Sequence, residues 1–98
     1  MPAYFIAFRD EMKNADQYAA YGAKAMATFA GHDSKLIVAN GAVTPVEGAP
    51  PDGVVIIEFP TVQAAKDWYH SPAYQAIVGE RLGATVGRSV IVEGFSPG

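Results

Sequence analysis

The chain has 98 residues, half of them hydrophobic, a formal charge of −3 and no cysteine. One compact domain fits that length, and disulfides, thiolate catalysis and cysteine-held metals are excluded. Its seven Lys and Arg are scattered along the chain, which argues against a surface that binds nucleic acid through phosphate contacts.

The start, "MPAYFIAFRDE", has neither a basic leader nor a long apolar run. It reads as neither a signal peptide nor a membrane span, and the expected location is the cytoplasm. Residues 3–9, "AYFIAFR", are apolar, aromatic and too short for a helix, so they predict a strand. Helix signals follow. Asn14 or Asp16 can cap the first turn, and Tyr18, Tyr21, Ala25, Met26 and Phe29 recur at helical spacing before Gly31 stops it.

"KLIVANGAV" predicts the second strand, with Asn40-Gly41 as a tight turn or bulge. "TPVEGAPPDG" follows as a loop whose prolines preclude a central strand and which reads as a rim or lid over a pocket. "VVIIEF", residues 54–59, is the strongest strand signal, dense in β-branched side chains. Thr61 caps a short helix that reaches about Tyr69. Ser71 and Pro72 then start another, running to about Leu82, before the last strand, "SVIVEG", at 89–94.

The order β-α-β-β-α-β, with its second helix broken in two, is the ferredoxin-like arrangement: an α+β fold with a four-stranded antiparallel sheet and helices on one face. Alternation along the strands puts Tyr4, Ile6 and Phe8 opposite Phe5, Ala7 and Arg9. Likewise Val55, Ile57 and Phe59 oppose Val54, Ile56 and Glu58, and Val90 and Val92 oppose Ser89, Ile91 and Glu93. Both faces are substantially apolar, yet the helices cover only one. A second copy placed sheet against sheet resolves this, so a homodimer through the sheet face is expected.

The full length also resembles a known family. The stretches that carry the likeness are "MPAYFIAF", "DQYAAY", "NGAVTPVEG", "VVIIEFPTVQAAKDWYHSPAYQAI" and "GRSVIVEG". They are similar to the bacterial domain-of-unknown-function family 1330, within the dimeric α/β-barrel superfamily. Asn40-Gly41 departs from the paired glycines common there. The resemblance implies the ferredoxin-like fold and the dimer, but no reaction. The superfamily holds cofactor-free monooxygenases of polyketide-like aromatics, muconolactone isomerases and haem-binding enzymes, and fold alone does not choose among them.

Among candidate site residues, His70 can act as a general acid or base, although "HSP" is also fully explained as one helix stopping and another starting. His32, in "GHDSK", sits just past a helix end. Two histidines without ligand spacing predict no metal site, and nothing favours haem ligation by either. Arg81 follows Tyr74, Ile77 and Val78 on an apolar helix face, where it snorkels to water, pairs with a carboxylate or orients an anion. Glu58, a carboxylate within the most apolar strand, is its expected partner. Without a partner, Glu58 becomes a candidate general base. Tyr18, Tyr21, Trp68, Tyr69 and Tyr74 read as core by spacing, and together as the lining of a cleft between helices and sheet.

Two functions are expected on this basis. One is a small dimeric enzyme, working without metal or organic cofactor on a partly apolar carbonyl or enol compound by isomerisation or oxygenation. Glu58 and His70 would be its acid–base groups and Arg81 would orient the anion. The other is a non-catalytic small-molecule-binding or stress-related dimeric module.

Overall fold

A computed structural model describes residues 1–96. The strands and helices follow the order β1 (Ala3–Met12), α1 (Ala15–Ala27), β2 (Lys35–Ala39), β3 (Gly53–Phe59), α2 (Val62–Tyr69), α3 (Pro72–Gln75), α4 (Val78–Ala84) and β4 (Thr85–Glu93). The four strands form one antiparallel sheet in the order β2-β3-β1-β4. This is the ferredoxin-like arrangement that the element order predicts. No helix among the described residues is long and apolar enough to cross a membrane.

The helix starts follow from local chemistry. The Asn14 side chain accepts from the Gln17 amide at 3.0 Å, and the Thr61 hydroxyl from the Ala64 amide at 3.0 Å. The Ser71 hydroxyl donates to the Trp68 carbonyl at 2.7 Å and accepts from the Tyr74 amide at 3.3 Å, with Pro72 at the start of α3. One serine therefore closes α2 and opens α3, satisfying end groups that helices leave unpaired.

Three element boundaries differ from the sequence expectation. The helix expected over 72–82 breaks after Gln75 into α3 and α4, and Leu82 is then 60% exposed instead of continuing the buried stripe. β4 begins at Thr85, four residues early, because the extended β1 supplies partners as far as Met12 across an irregularity between Arg9 and Glu11. β2 ends at Ala39, where Asn40 takes a left-handed φ of 58°. Asn tolerates that conformation and leads the chain out of the sheet.

The register sets the two faces. Ile57 pairs with Phe5, and Phe5 with Ile91, so these share the helix side. There Phe5, Ile57 and Phe59 form the core with Tyr21, Ala25, Ala65, Trp68, Tyr74 and Val78. Trp68 is its centre, with Phe29 stacked at 4.9 Å and Phe5 edge-on at 5.2 Å. Its indole N–H donates to the buried Thr28 hydroxyl at 3.0 Å, which in turn donates to the Ala25 carbonyl at 2.6 Å. On the other face, Val38, Ile56, Ile6 and Val90 form an aliphatic row across all four strands. No helix among the described residues covers that row, and Val90 and Val92 are about half exposed, at 48% and 46%.

Candidate functional site

The helices do not seal their side of the sheet. α1 is tied to α4 by the Gln17 side-chain amide donating to the Glu80 backbone carbonyl at 2.8 Å and by a 2.9 Å Lys24–Glu80 ion pair. α2 instead lies directly over β1, β3 and β4. Between α1 and the sheet is a cleft in two parts. The first, about 160 Å³, is lined by aromatic and apolar groups: Phe5, Tyr21, Phe29, Ile57, Trp68 and the open flank of Gly22. The second, about 300 Å³, is lined by Arg9, Thr85, Ser89 and the backbone around Gly53 and Gly87. Tyr18, Asn40 and Arg81 line both parts.

Arg81 occupies the junction. Its guanidinium lies 5.9 Å from the centre of the Phe5 ring, a cation–π contact. Its Nε is buried without a hydrogen-bond partner, and no ion pair includes it among the described residues. Nearby, the hydroxyls of Tyr21 and Tyr74 share a buried 2.7 Å hydrogen bond. Burial is the largest cause pushing both phenols above their ordinary value, and the positive charge of Arg81 opposes that rise at each. At neutral pH both hydroxyls therefore keep their protons and act as donors, not as bases.

Arg9 anchors the rim. Its guanidinium donates to Asp52 at 3.0 Å and to the Asn40 side-chain oxygen at 3.1 Å, and it sits 5.1 Å over the Tyr18 ring. The Asn40 amide donates onward to the Tyr18 hydroxyl at 3.1 Å. Gly53 leaves room for this network: a Cβ would fall 2.7 Å from the Asn40 side-chain oxygen and against the Arg9 guanidinium, displacing both side-chain ends.

The expected trio of Glu58, His70 and Arg81 is not brought together. Glu58 pairs with Tyr4 in the β1–β3 register and accepts from the Tyr4 hydroxyl at 3.2 Å on the face without helices. Arg81 is on the opposite side of the sheet, so the expected Glu58–Arg81 pair does not form within one chain. The physical reason is strand parity: Glu58 shares its face with Val54 and Ile56, and the helices cover the other. His70 caps the end of α2, is exposed and touches the Tyr69 ring edge-on at 5.2 Å; it does not line the cleft.

Of the five aromatic candidates, Tyr18, Tyr21 and Trp68 line the cleft. Tyr74 stands behind them through its bond to Tyr21, and Tyr69 packs against Phe5 and Tyr74 instead. Arg9, Asn40 and Asp52 were not marked as site residues by the sequence. Arg9 carried part of a signal: parity puts it on the face of Phe5 and Ala7, and the structure puts the helices over that face. No group of three His, Asp or Glu side chains suited to a metal occurs among the described residues.

A two-layer ferredoxin-like domain with a cation-bearing aromatic cleft is the class that this fold and site define. The chain belongs to the family described as Domain of unknown function (DUF1330), whose model matches residues 2–95. A solved protein of unknown function from Rhodopseudomonas palustris is 22% identical, with a TM-score of 0.74 over 98% of this chain and 84% of that one. SnoaB, a cofactor-independent oxygenase from Streptomyces nogalater, is 9% identical, with a TM-score of 0.63 over 97% and 94%. An ethyl tert-butyl ether d family protein from Bacillus halodurans is 11% identical, with a TM-score of 0.64 over 97% and 100%. At these identities the likenesses show the α/β-barrel fold alone. No curated protein sequence matches the chain.

Proposed function

We propose that the cleft between α1 and the sheet binds a small, partly apolar carbonyl or enol compound and supports cofactor-independent chemistry on it, of isomerase or monooxygenase type. The observation that carries this reading is Arg81, an unpaired guanidinium at the junction of an aromatic cavity and a polar one. Fixed donors aimed at an oxygen that gains negative charge stabilise an enolate-like state, and they are worth more in a water-poor site than in solution. Arg81 supplies the charge and Tyr21, backed by Tyr74, a neutral donor. SnoaB is a cofactor-independent oxygenase on a similar fold, which supports this reaction class.

Neither Glu58 nor His70 lines the cleft, so neither has an acid–base role in this reading. The lack of any lining carboxylate or imidazole among the described residues favours a second reading, binding without turnover. A homodimer through the Val38–Ile56–Ile6–Val90 row is part of the proposal: a sheet face this apolar is expected to be covered.

The test is a thermal-shift and NMR screen of one-ring ketones, 1,3-diketones and aryl esters against the wild-type chain and Gly22→Leu. No atom lies within 4 Å of a Cβ placed on Gly22, and Gly22 lines the cavity, so a leucine there starts in open space and competes with a ligand for it. The expected result is binding by several compounds that Gly22→Leu abolishes; binding indifferent to Gly22→Leu, or none at all, would sink the proposal. Oxygen uptake and product NMR on the binders then separate turnover from binding.

A further inference from the structure

The charges around the cleft are unevenly matched. Two of the chain's seven basic residues, Arg9 and Arg81, line its polar part from the helix side, whereas the Arg88 guanidinium lies 5.0 Å over the Phe8 ring on the helix-free face, and no carboxylate lines either part among the described residues. Arg9 is already paired from outside by Asp52 at 3.0 Å. Glu80, one residue before Arg81, is held by Lys24 at 2.9 Å. Of the two arginines, Arg81 alone has no ion-pair partner among the described residues, in a chain whose formal charge is −3. A guanidinium is always protonated, and taking one partly out of water without a counter-charge is costly. The complement that offsets this cost is a single negative charge on planar oxygens, which a guanidinium holds through parallel N–H donors.

Among the described residues, no group lining the cleft is a carboxylate or an imidazole able to take up a proton at neutral pH. The lining phenols, hydroxyls, amide and guanidinium groups are donors or neutral acceptors. A compound that must be charged to meet Arg81 therefore arrives charged. Its apolar body is limited by the 160 Å³ of the aromatic part; an apolar protein cavity of about 150 Å³ takes up one benzene ring. The Arg81 guanidinium borders this space, so a charged group on Arg81 leaves an attached ring among Tyr21, Phe29 and Trp68.

Resting on the reading of the cleft given above, we infer that its occupant is an organic monoanion of about one ring, a carboxylate or an already ionised enol, held by its oxygens on Arg81 and by its ring in the aromatic part. The shared chemistry is a delocalised pair of oxygens on a compact apolar body. Larger polycyclic compounds and dianions do not match the single free charge and the one-ring space.

The experiment titrates the full-length chain with benzoate, dimedone (a cyclic 1,3-dicarbonyl whose enol is ionised at neutral pH) and neutral benzamide, using calorimetry and ring-proton NMR. Benzoate or dimedone, or both, should bind at least tenfold more tightly than benzamide; benzoate alone identifies a carboxylate site, and dimedone alone an enolate site. Arg81→Met should remove the preference, and Arg81→Lys should keep part of it. The comparison among ligands on the wild-type chain holds even where a variant folds poorly. Benzamide binding as well as the anions, and lost in Gly22→Leu, would overturn the charge assignment and leave the cleft standing. Failure of all three probes overturns the assignment, and failure of the whole panel of ketones, diketones and aryl esters as well removes the cleft reading with it.

Discussion

The hydroxyls of Tyr21 on α1 and Tyr74 on α3 meet at 2.7 Å beneath the cleft, each the other's hydrogen-bond partner in a buried setting. Removing one leaves the other unsatisfied at a cost of about 1–3 kcal/mol, whereas removing both deletes the demand along with the supply. Tyr74→Phe should lower unfolding stability by about 1–2 kcal/mol, followed by Trp68 fluorescence in urea. The Tyr21→Phe/Tyr74→Phe double variant should lose clearly less than the sum of the singles. Additive losses would show that the two hydroxyls do not act as a pair.

The same pair sets an alkaline limit. Both phenols titrate above their ordinary value of 10.0 in the folded chain, chiefly through burial. A group whose folded pKa is raised binds more protons when folded than when unfolded between the two values. Its contribution is thus complete below about pH 10 and is lost as pH rises above that. Each phenol should steepen the fall in stability by at most about 1.4 kcal/mol per pH unit. Urea melts from pH 7 to 11.5 should be level, as far as these groups act, below pH 9.5 and then decline, with a shallower decline in the double phenylalanine variant.

Trp68 depends on a single hydroxyl. Its indole N–H donates to Thr28 at 3.0 Å in a site closed to water. Thr28→Val preserves shape and removes the acceptor, and it should cost about 1–3 kcal/mol in chemical denaturation. Thr28→Ser should cost less because the acceptor remains.

Three glycines should respond differently to alanine. At Gly22 a Cβ meets nothing within 4 Å, so Gly22→Ala should stabilise the chain by about 0.5–1 kcal/mol through helix propensity alone. At Gly53 a Cβ meets the ends of the Arg9 and Asn40 side chains, which can move, so the expected effect is loss of the rim hydrogen bonds with a modest fall in melting temperature. At Gly87 it runs into the Phe8 carbonyl oxygen of the paired strand, which cannot move. Gly87→Ala should cost about 3 kcal/mol or more. Thermal melts of the three variants test this order.

The uncovered sheet face predicts an assembly. Light scattering at micromolar concentration should give twice the 10.3 kDa chain mass. Ile6→Lys, in the middle of the aliphatic row, should give the single chain with circular dichroism unchanged. A wild-type monomer would refute the dimer and leave the cleft within one chain unaffected.

Residue order alone determined what short-range chemistry and strand alternation control. Thr61 and Ser71, and Asn14 out of the pair Asn14 and Asp16 that the order left open, cap their helices because a side-chain oxygen need reach only two or three residues along the chain. Strand parity likewise assigned Glu58 to the face of Val54 and Ile56, and Arg9 to that of Phe5. The cleft depended on longer-range facts. Which sheet face the helices would cover was open while both were apolar, so the separation of Glu58 from Arg81 could not be read from spacing. The α3–α4 break interrupts the helical period just before Arg81, exposing Leu82 while Arg81 stays at the junction of the cleft. Arg9, Asn40 and Asp52 come from three distant parts of the chain, and only strand pairing brings them to one rim. Capping and alternation are properties of neighbours along the chain. An unpaired charge beside an aromatic cavity is a property of packed surfaces, and only the tertiary structure could decide it.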